Sequence, residues 1–186
     1  MDGVWKVPRR LPSVPLPAPG EAFPSWLHCV AADWQIPPGR AAQVLGLECQ
    51  PGYRAARPMW FGVSLTQRSL QGLMTATGLD ERALGAMQLS RYADTALEFF
   101  GRELPDQPRE VASLRRPHRE WALTTSSRAC PNCLAALPVW PVWWRLGIAA
   151  VCPEHRVLLV DVCSWWTCAA SATDAWAPAT PAIRGD

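Results

Sequence analysis

The chain has 186 residues, enough for one domain or two small ones. Hydrophobic residues make up 49% and charged residues 18%, which excludes a charge-rich disordered chain. The formal net charge is only +2, too small to mark a polyanion partner by itself, and although all basic residues but Lys6 are Arg, that bias is weak evidence. The 19 Pro and 12 Gly predict short, interrupted elements, and 11 Trp predict aromatic packing in small cores or at a contact surface.

The first residues lack an apolar signal core and a small-residue cleavage site, so no secretory leader is expected. The longest apolar stretch, Leu134–Trp144, is interrupted by Pro138 and Pro141 and falls well short of the ~20 residues of a membrane span. The expectation is a cytoplasmic protein with no membrane partner. In a reducing compartment clustered cysteines read as metal ligands before disulfides.

Residues 1–20 are proline-rich and carry Lys6, Arg9 and Arg10, which predicts an extended lead-in. From Glu21 the pattern changes: Phe23, Trp26, Leu27 and Val30 share one helical face. A helix is predicted over 22–34, ended by Pro37-Pro38-Gly39. Residues 41–47 allow a short helix, and Cys49–Gly52 reads as a turn.

Over 66–89, Leu70, Leu73 and Met74 line a helix that stops at Gly78. Asp80 is an N-cap for a second, carrying Leu84, Met87 and Leu89. Two short helices around a glycine turn fit a helix-turn-helix, but the same pattern more often forms a plain helical hairpin. A third helix is expected over 90–104. Residues 109–128 form a basic linker with Arg109, Arg115, Arg116, Arg119 and Arg128, either a solvated segment or a phosphate-contacting patch. Arg54, Arg57, Arg68 and Arg82 are further candidate nucleic-acid contacts flanking or within the two-helix segment. Glu81, Arg82 and Gln88 are candidate base readers. His118, within the basic run, reads as a surface residue.

The chemistry concentrates further on. Cys130-Pro-Asn-Cys133 and Cys152-Pro-Glu-His155 are two knuckles separated by a hairpin-sized insert. A two-residue gap turns both donors of a pair toward one ion. Four soft or borderline donors suit one structural Zn²⁺, with no coordination position left for a reacting water. Cys163 and Cys168 read as a degenerate second half-site, because no further Cys or His follows them. Cys29 and Cys49 read as ordinary buried thiols. No nucleotide-binding, protease, esterase or kinase signature is present, and the acids show no paired arrangement. A non-enzyme is therefore expected. The fold class expected is mainly α: a helix-turn-helix-like domain over 21–108, the linker over 109–128, and a β-containing zinc-ribbon or treble-clef-like module over 129–168. Residues 169–186 read as a disordered tail.

Pro17-Ala-Pro-Gly20-Glu21 followed by Ser25-Trp26-Leu27 resembles the opening motif of TniQ proteins, the target-selection factors of Tn7-like transposons. Thr77-Gly78-Leu79, Leu84 and Leu89–Tyr92 resemble that family's helix-turn-helix stretch. The segments around Cys130–Leu134, Trp144–Leu146, Val151–His155 and Leu158-Leu159 resemble its zinc segment. The resemblance implies a non-catalytic adaptor that finds a target through DNA or through an RNA-guided CRISPR complex. It implies recruitment of an AAA+ regulator and a transposase, and pairing in some members as homodimers. It places zinc on Cys130, Cys133, Cys152 and His155 and a recognition helix near 80–89. The sequence departs from the family where Cys163-Ser-Trp-Trp-Thr-Cys168 replaces the usual C-P-x-C-G, and where Ala22 replaces Ser. Competing readings are a small zinc-containing helix-turn-helix transcription regulator, a degenerate inactive remnant and, as the enzyme alternative, a metal-dependent hydrolase.

Overall fold

Apolar spacing decides the first half of the molecule. In the computed structural model, residues 8–49, 61–93, 95–97, 121–123 and 126–161 are described. Helix α1 runs over Phe23–Asp33 and buries Phe23, Trp26, Leu27 and Val30, the face set by the apolar positions. Pro24 occupies its first turn, where a missing N–H is no loss. Helix α2, Pro38–Val44, begins at the proline pair that ends the preceding segment, so these prolines act as a start as well as a stop. Helix α3, Gln67–Thr77, starts at Thr66, whose side chain accepts from the Ser69 backbone N–H at 3.2 Å. It stops at Gly78, which takes the left-handed conformation at φ +70°. Helix α4, Glu81–Ala86, starts at Asp80, whose carboxylate accepts from Ala83 N–H at 2.7 Å.

Two expectations are corrected here. The second helix stops at Ala86 instead of reaching Leu89, because Leu89 N–H donates to Gly62 O and Ser90 N–H to Val63 O. Those donors leave the helical ladder for the 62–63 loop, and Gln88 becomes extended. The third helix is a 3₁₀ turn over Leu89–Tyr92 followed by turn residues 95–97, and residues 98–104 lie outside the described residues. Two helices around a glycine turn are present, but a recognition helix of the expected length is not.

Over its described residues, 8–20, the proline-rich lead-in forms no helix or strand and is bound to the helices. Leu11 N–H donates to Ala76 O at 2.9 Å, and Trp26 Nε1 donates to Pro15 O at 2.8 Å. Leu11 and Val14 pack against the first core, which α1, α2, α3 and α4 build around Trp26, Leu27, Leu45, Leu73 and Leu84.

A second core lies under the cysteine segment. It joins Cys130, Val142, Trp144, Leu146, Cys152 and Leu159 to Ala22, Val63, Leu89 and Leu97 of the helical part. Trp144 is wholly buried between Trp140 and Trp143, with edge-on ring contacts at 6.2 and 6.1 Å. Helix α5 covers Pro131–Ala136, and a 3₁₀ turn covers Val142–Arg145. The β-structure expected of this module takes the form of isolated antiparallel bridges among the described residues, including Ala129 with Val160 and Val151 with Leu158.

Candidate metal centre and its anchorage

The four predicted ligands come together. Cys130 precedes α5 and Cys133 lies one turn inside it, so the two-residue gap turns both thiols toward the same point. Cys152 and His155 lie on a tight turn in which His155 N–H points at Cys152 Sγ (3.5 Å) and Arg156 N–H donates to Cys152 O (2.8 Å). Arg156 takes φ +54° at the end of this turn. The bridges Ala129–Val160 and Val151–Leu158 bring the two knuckles face to face.

The four donor atoms lie within 4.8 Å of one another. His155 Nδ1 is 3.2 Å from Cys133 Sγ and 3.6 Å from the sulfurs of Cys130 and Cys152, and Cys133 Sγ is 3.6 Å from Cys152 Sγ. A tetrahedral Zn²⁺ with ordinary bond lengths gives edges of about 3.8 Å for S···S and about 3.5 Å for S···N. A disulfide needs an S–S distance of about 2.05 Å, and these cysteines are free thiols. The donor set and its spacing therefore fit a closed four-ligand metal site, with Cys130 and Cys152 buried and Cys133 and His155 half-buried.

The thiols differ in acidity. Burial, with hydrogen bonding to Cys152 and Cys130 and their charges, pushes Cys133 up to about 12. Burial also acts to raise Cys152, but hydrogen bonds from the His155 backbone and ring and from the neighbouring thiols outweigh it and bring Cys152 to about 6. Cys29 and Cys49 are half-buried, and burial raises both, with the Glu21 carboxylate adding to the effect at Cys29. Both are correspondingly poor nucleophiles.

The centre is tied to the helices by residues of the opening motif. Ala22 N–H donates to Trp140 O (2.7 Å), and Val142 N–H donates to Gly20 O (2.9 Å). Glu21 is buried, and its carboxylate accepts from Ala18 N–H (2.9 Å) and Ser25 Oγ (2.7 Å). Ser25 Oγ in turn accepts from Trp140 N–H at 3.2 Å. Arg145 is 1% exposed and donates to Gly62 O (2.8 Å) and Leu123 O (3.1 Å). Burial lowers its pKa to about 10, which leaves it cationic at neutral pH. Sequence reasoning did not find the roles of Ser25 and Arg145. The available signal was that Ser25 and Glu21 are four apart, on one side of a helix start.

Three of the predicted nucleic-acid contacts, Arg68, Arg82 and Arg128, lie among the described residues. Arg68 is exposed and pairs with Glu48 at 3.3 Å. Arg82 is exposed on α4. Arg128 donates to Gly147 O (2.9 Å) and Ala149 O (2.6 Å), bracing the hairpin between the knuckles. Gln88, expected to be exposed, is buried at 1%. Arg54, Arg57, Arg115, Arg116 and Arg119 lie outside the described residues, as do His118, Cys163 and Cys168.

With this geometry in hand, comparison with known proteins identifies the class. The TniQ family profile matches residues 12–159, most of the chain. The chain belongs to the TniQ family, a transposition-associated target-selection family. No curated protein and no solved structure matches it. Among the described residues no helix is long and apolar enough to cross a membrane.

Proposed function

We propose that this chain is a non-catalytic target-selection adaptor in DNA transposition, which contacts DNA and recruits an AAA+ regulator and a transposase. The family match over residues 12–159 carries this reading. One zinc ion on Cys130, Cys133, Cys152 and His155 supplies structural cross-linking in a module with a small core. The four-donor shell leaves no position for a reacting water, which supports an adaptor over a hydrolase. On the strand segment after the second knuckle, Leu158 and Val160 face out while Leu159 faces in. Val151, opposite Leu158, is exposed too, and this apolar strip supports a protein-binding role for the module.

Two measurements test the proposal. Elemental analysis is expected to give about one zinc per chain. Fluorescence anisotropy on a labelled duplex is expected to show binding that falls steeply with salt. Absence of DNA binding at low salt, together with no retention of a transposon-encoded AAA+ regulator on the immobilised protein, would remove the adaptor reading.

A further inference from the structure

The arginines divide once their partners are traced. Arg40 donates to Gln43, Arg68 pairs with Glu48, and Arg91 donates to Ala86 O. Arg128 and Arg145 are held by backbone carbonyls. Among the described residues the side chains of Arg9, Arg10, Arg82 and Arg156 make no hydrogen bond or ion pair. One of the four, Arg10, lies against the turn between α3 and α4, and Arg82 follows that turn in the first turn of α4.

The strap formed by residues 8–17 brings Arg10 there. Its bond from Leu11 N–H to Ala76 O fixes it to the last turn of α3, so Arg9 and Arg10 sit immediately before an anchored residue. The Arg10 guanidinium packs directly over Gly78, where any Cβ would collide with it. The negative end of the α3 dipole favours a cation at this place. Arg82 lies in the first turn of α4, just past Gly78, and is exposed, as are Arg9 and Arg10. Asp80, which caps α4 through one carboxylate oxygen, and Glu81 are both exposed acids at this turn. A second anchor, Trp26 Nε1 to Pro15 O, and Pro12 between the anchors restrict the strap, so little freedom is lost on binding.

We propose that this strap is a phosphate-contacting arm, which presents Arg9 and Arg10 beside Arg82 to the backbone of duplex DNA. The inference rests on the DNA-contacting part of the proposed function. It moves the principal contact from the predicted arginine runs to the N-terminal strap.

The test is a salt titration of a fluorescein-labelled DNA duplex by anisotropy, using the full chain. Replacing Arg9 and Arg10 together by Ala is expected to lower the log–log salt slope by about 1.8, two contacts at about 0.9 each. Arg82→Ala is expected to lower it by about 0.9. Arg40→Ala, on an exposed arginine of α2, leaves the slope unchanged. The Arg9→Lys, Arg10→Lys double variant keeps the wild-type slope, because a phosphate contact reads charge. Wild-type binding with an unchanged slope in the double Ala variant would overturn the arm while leaving the DNA reading intact. A lost slope in the Lys variant would overturn it equally. If the wild type itself does not bind, the DNA reading fails first. Equal affinity for a duplex RNA of the same length would overturn the commitment to DNA.

Discussion

The two cores of this protein are built on different terms. The first is closed by four helices whose apolar faces meet, with wholly buried Trp26, Leu27, Leu45, Leu73 and Leu84 at its centre. The second has two knuckles, one short helix and isolated bridges, and it borrows Ala22, Val63, Leu89 and Leu97 from the helical part. Periodic burial suffices where helices can face one another. Where the elements are too short for that, a four-donor cluster fit to hold a metal, a tryptophan cluster and backbone bonds to a neighbour take over. The second core should therefore depend on its metal, and it should pass that dependence to the parts of the first half that it touches.

Removing the metal breaks the comparison most severely. Structural zinc in small domains contributes on the order of 10 kcal/mol of folding free energy. Chelation, or Cys152→Ser, is expected to abolish hydrogen-exchange protection over 129–160. It is also expected to loosen the start of α1 and the 62–63 loop, which bond to Trp140, Val142, Arg145 and Leu89. The contacts of α2 with α1 should remain protected. Full protection at Ala22 after metal loss would show that the two cores are independent. A thiol must lose its proton to bind a metal, and burial pushes Cys133 up to about 12 in the metal-free site. Metal uptake therefore releases protons and weakens as pH falls.

Gly62 joins the two regions at a single residue. It takes φ +70°, and a Cβ there would collide with the Arg145 guanidinium and come within 2.8 Å of Pro24. Gly62→Ala is expected to destabilise the protein by about 3 kcal/mol, combining left-handed strain with displacement of a buried charged hydrogen bond. Thermal or urea unfolding measures it. A loss below about 1 kcal/mol would mean that the junction adapts and that Arg145 is not a rigid tie.

The first core and the four metal donors were legible in the sequence because both follow short-range rules. Phe23, Trp26, Leu27 and Val30 repeat with the helix, and the two Cys-x-x-(Cys/His) pairs turn their donors to one point. The end of α4 was not legible, because it is set by Gly62 and Val63 carbonyls far away in the chain. Arg128 and Gln88 read as solvent-facing for the same reason. Nothing in their local pattern shows that one braces a hairpin and the other is buried. The strap illustrates the reverse case. Proline content points to a segment without helix, but the anchoring at Ala76 and Trp26 depends on tertiary contacts.

A smaller effect is expected at Ser25, whose hydroxyl donates to the buried Glu21 carboxylate and accepts from Trp140 N–H. Ser25→Ala removes both bonds at once and should cost about 2 kcal/mol, since a buried carboxylate loses a donor. If the tie between regions runs through this residue, metal affinity measured by competition with a chelating dye should fall in the same variant. An unchanged affinity would confine Ser25 to α1.

The smallest expected effect has the opposite sign. Gln88 is 1% exposed, and neither its Oε1 nor its Nε2 has a hydrogen-bond partner; the nearby backbone of Leu89 and Ser90 is committed to Gly62 and Val63. A buried polar group without a partner costs about 1–3 kcal/mol relative to one that is satisfied, whereas an apolar side chain of the same shape carries no such penalty. Met matches Gln closely in length and flexibility and can fill the same space. Gln88→Met is therefore expected to stabilise the protein by about 1 kcal/mol, a rise in Tm of roughly 3 °C for a chain of this size. Ser64→Ala, at a second buried hydroxyl with no partner, should act in the same direction. Both substitutions lie where the 88–90 and 62–64 segments meet, so they test whether the seam between the two regions is imperfectly satisfied. A Tm that falls in Gln88→Met would mean that the amide has a partner there and that the seam is as well satisfied as the first core.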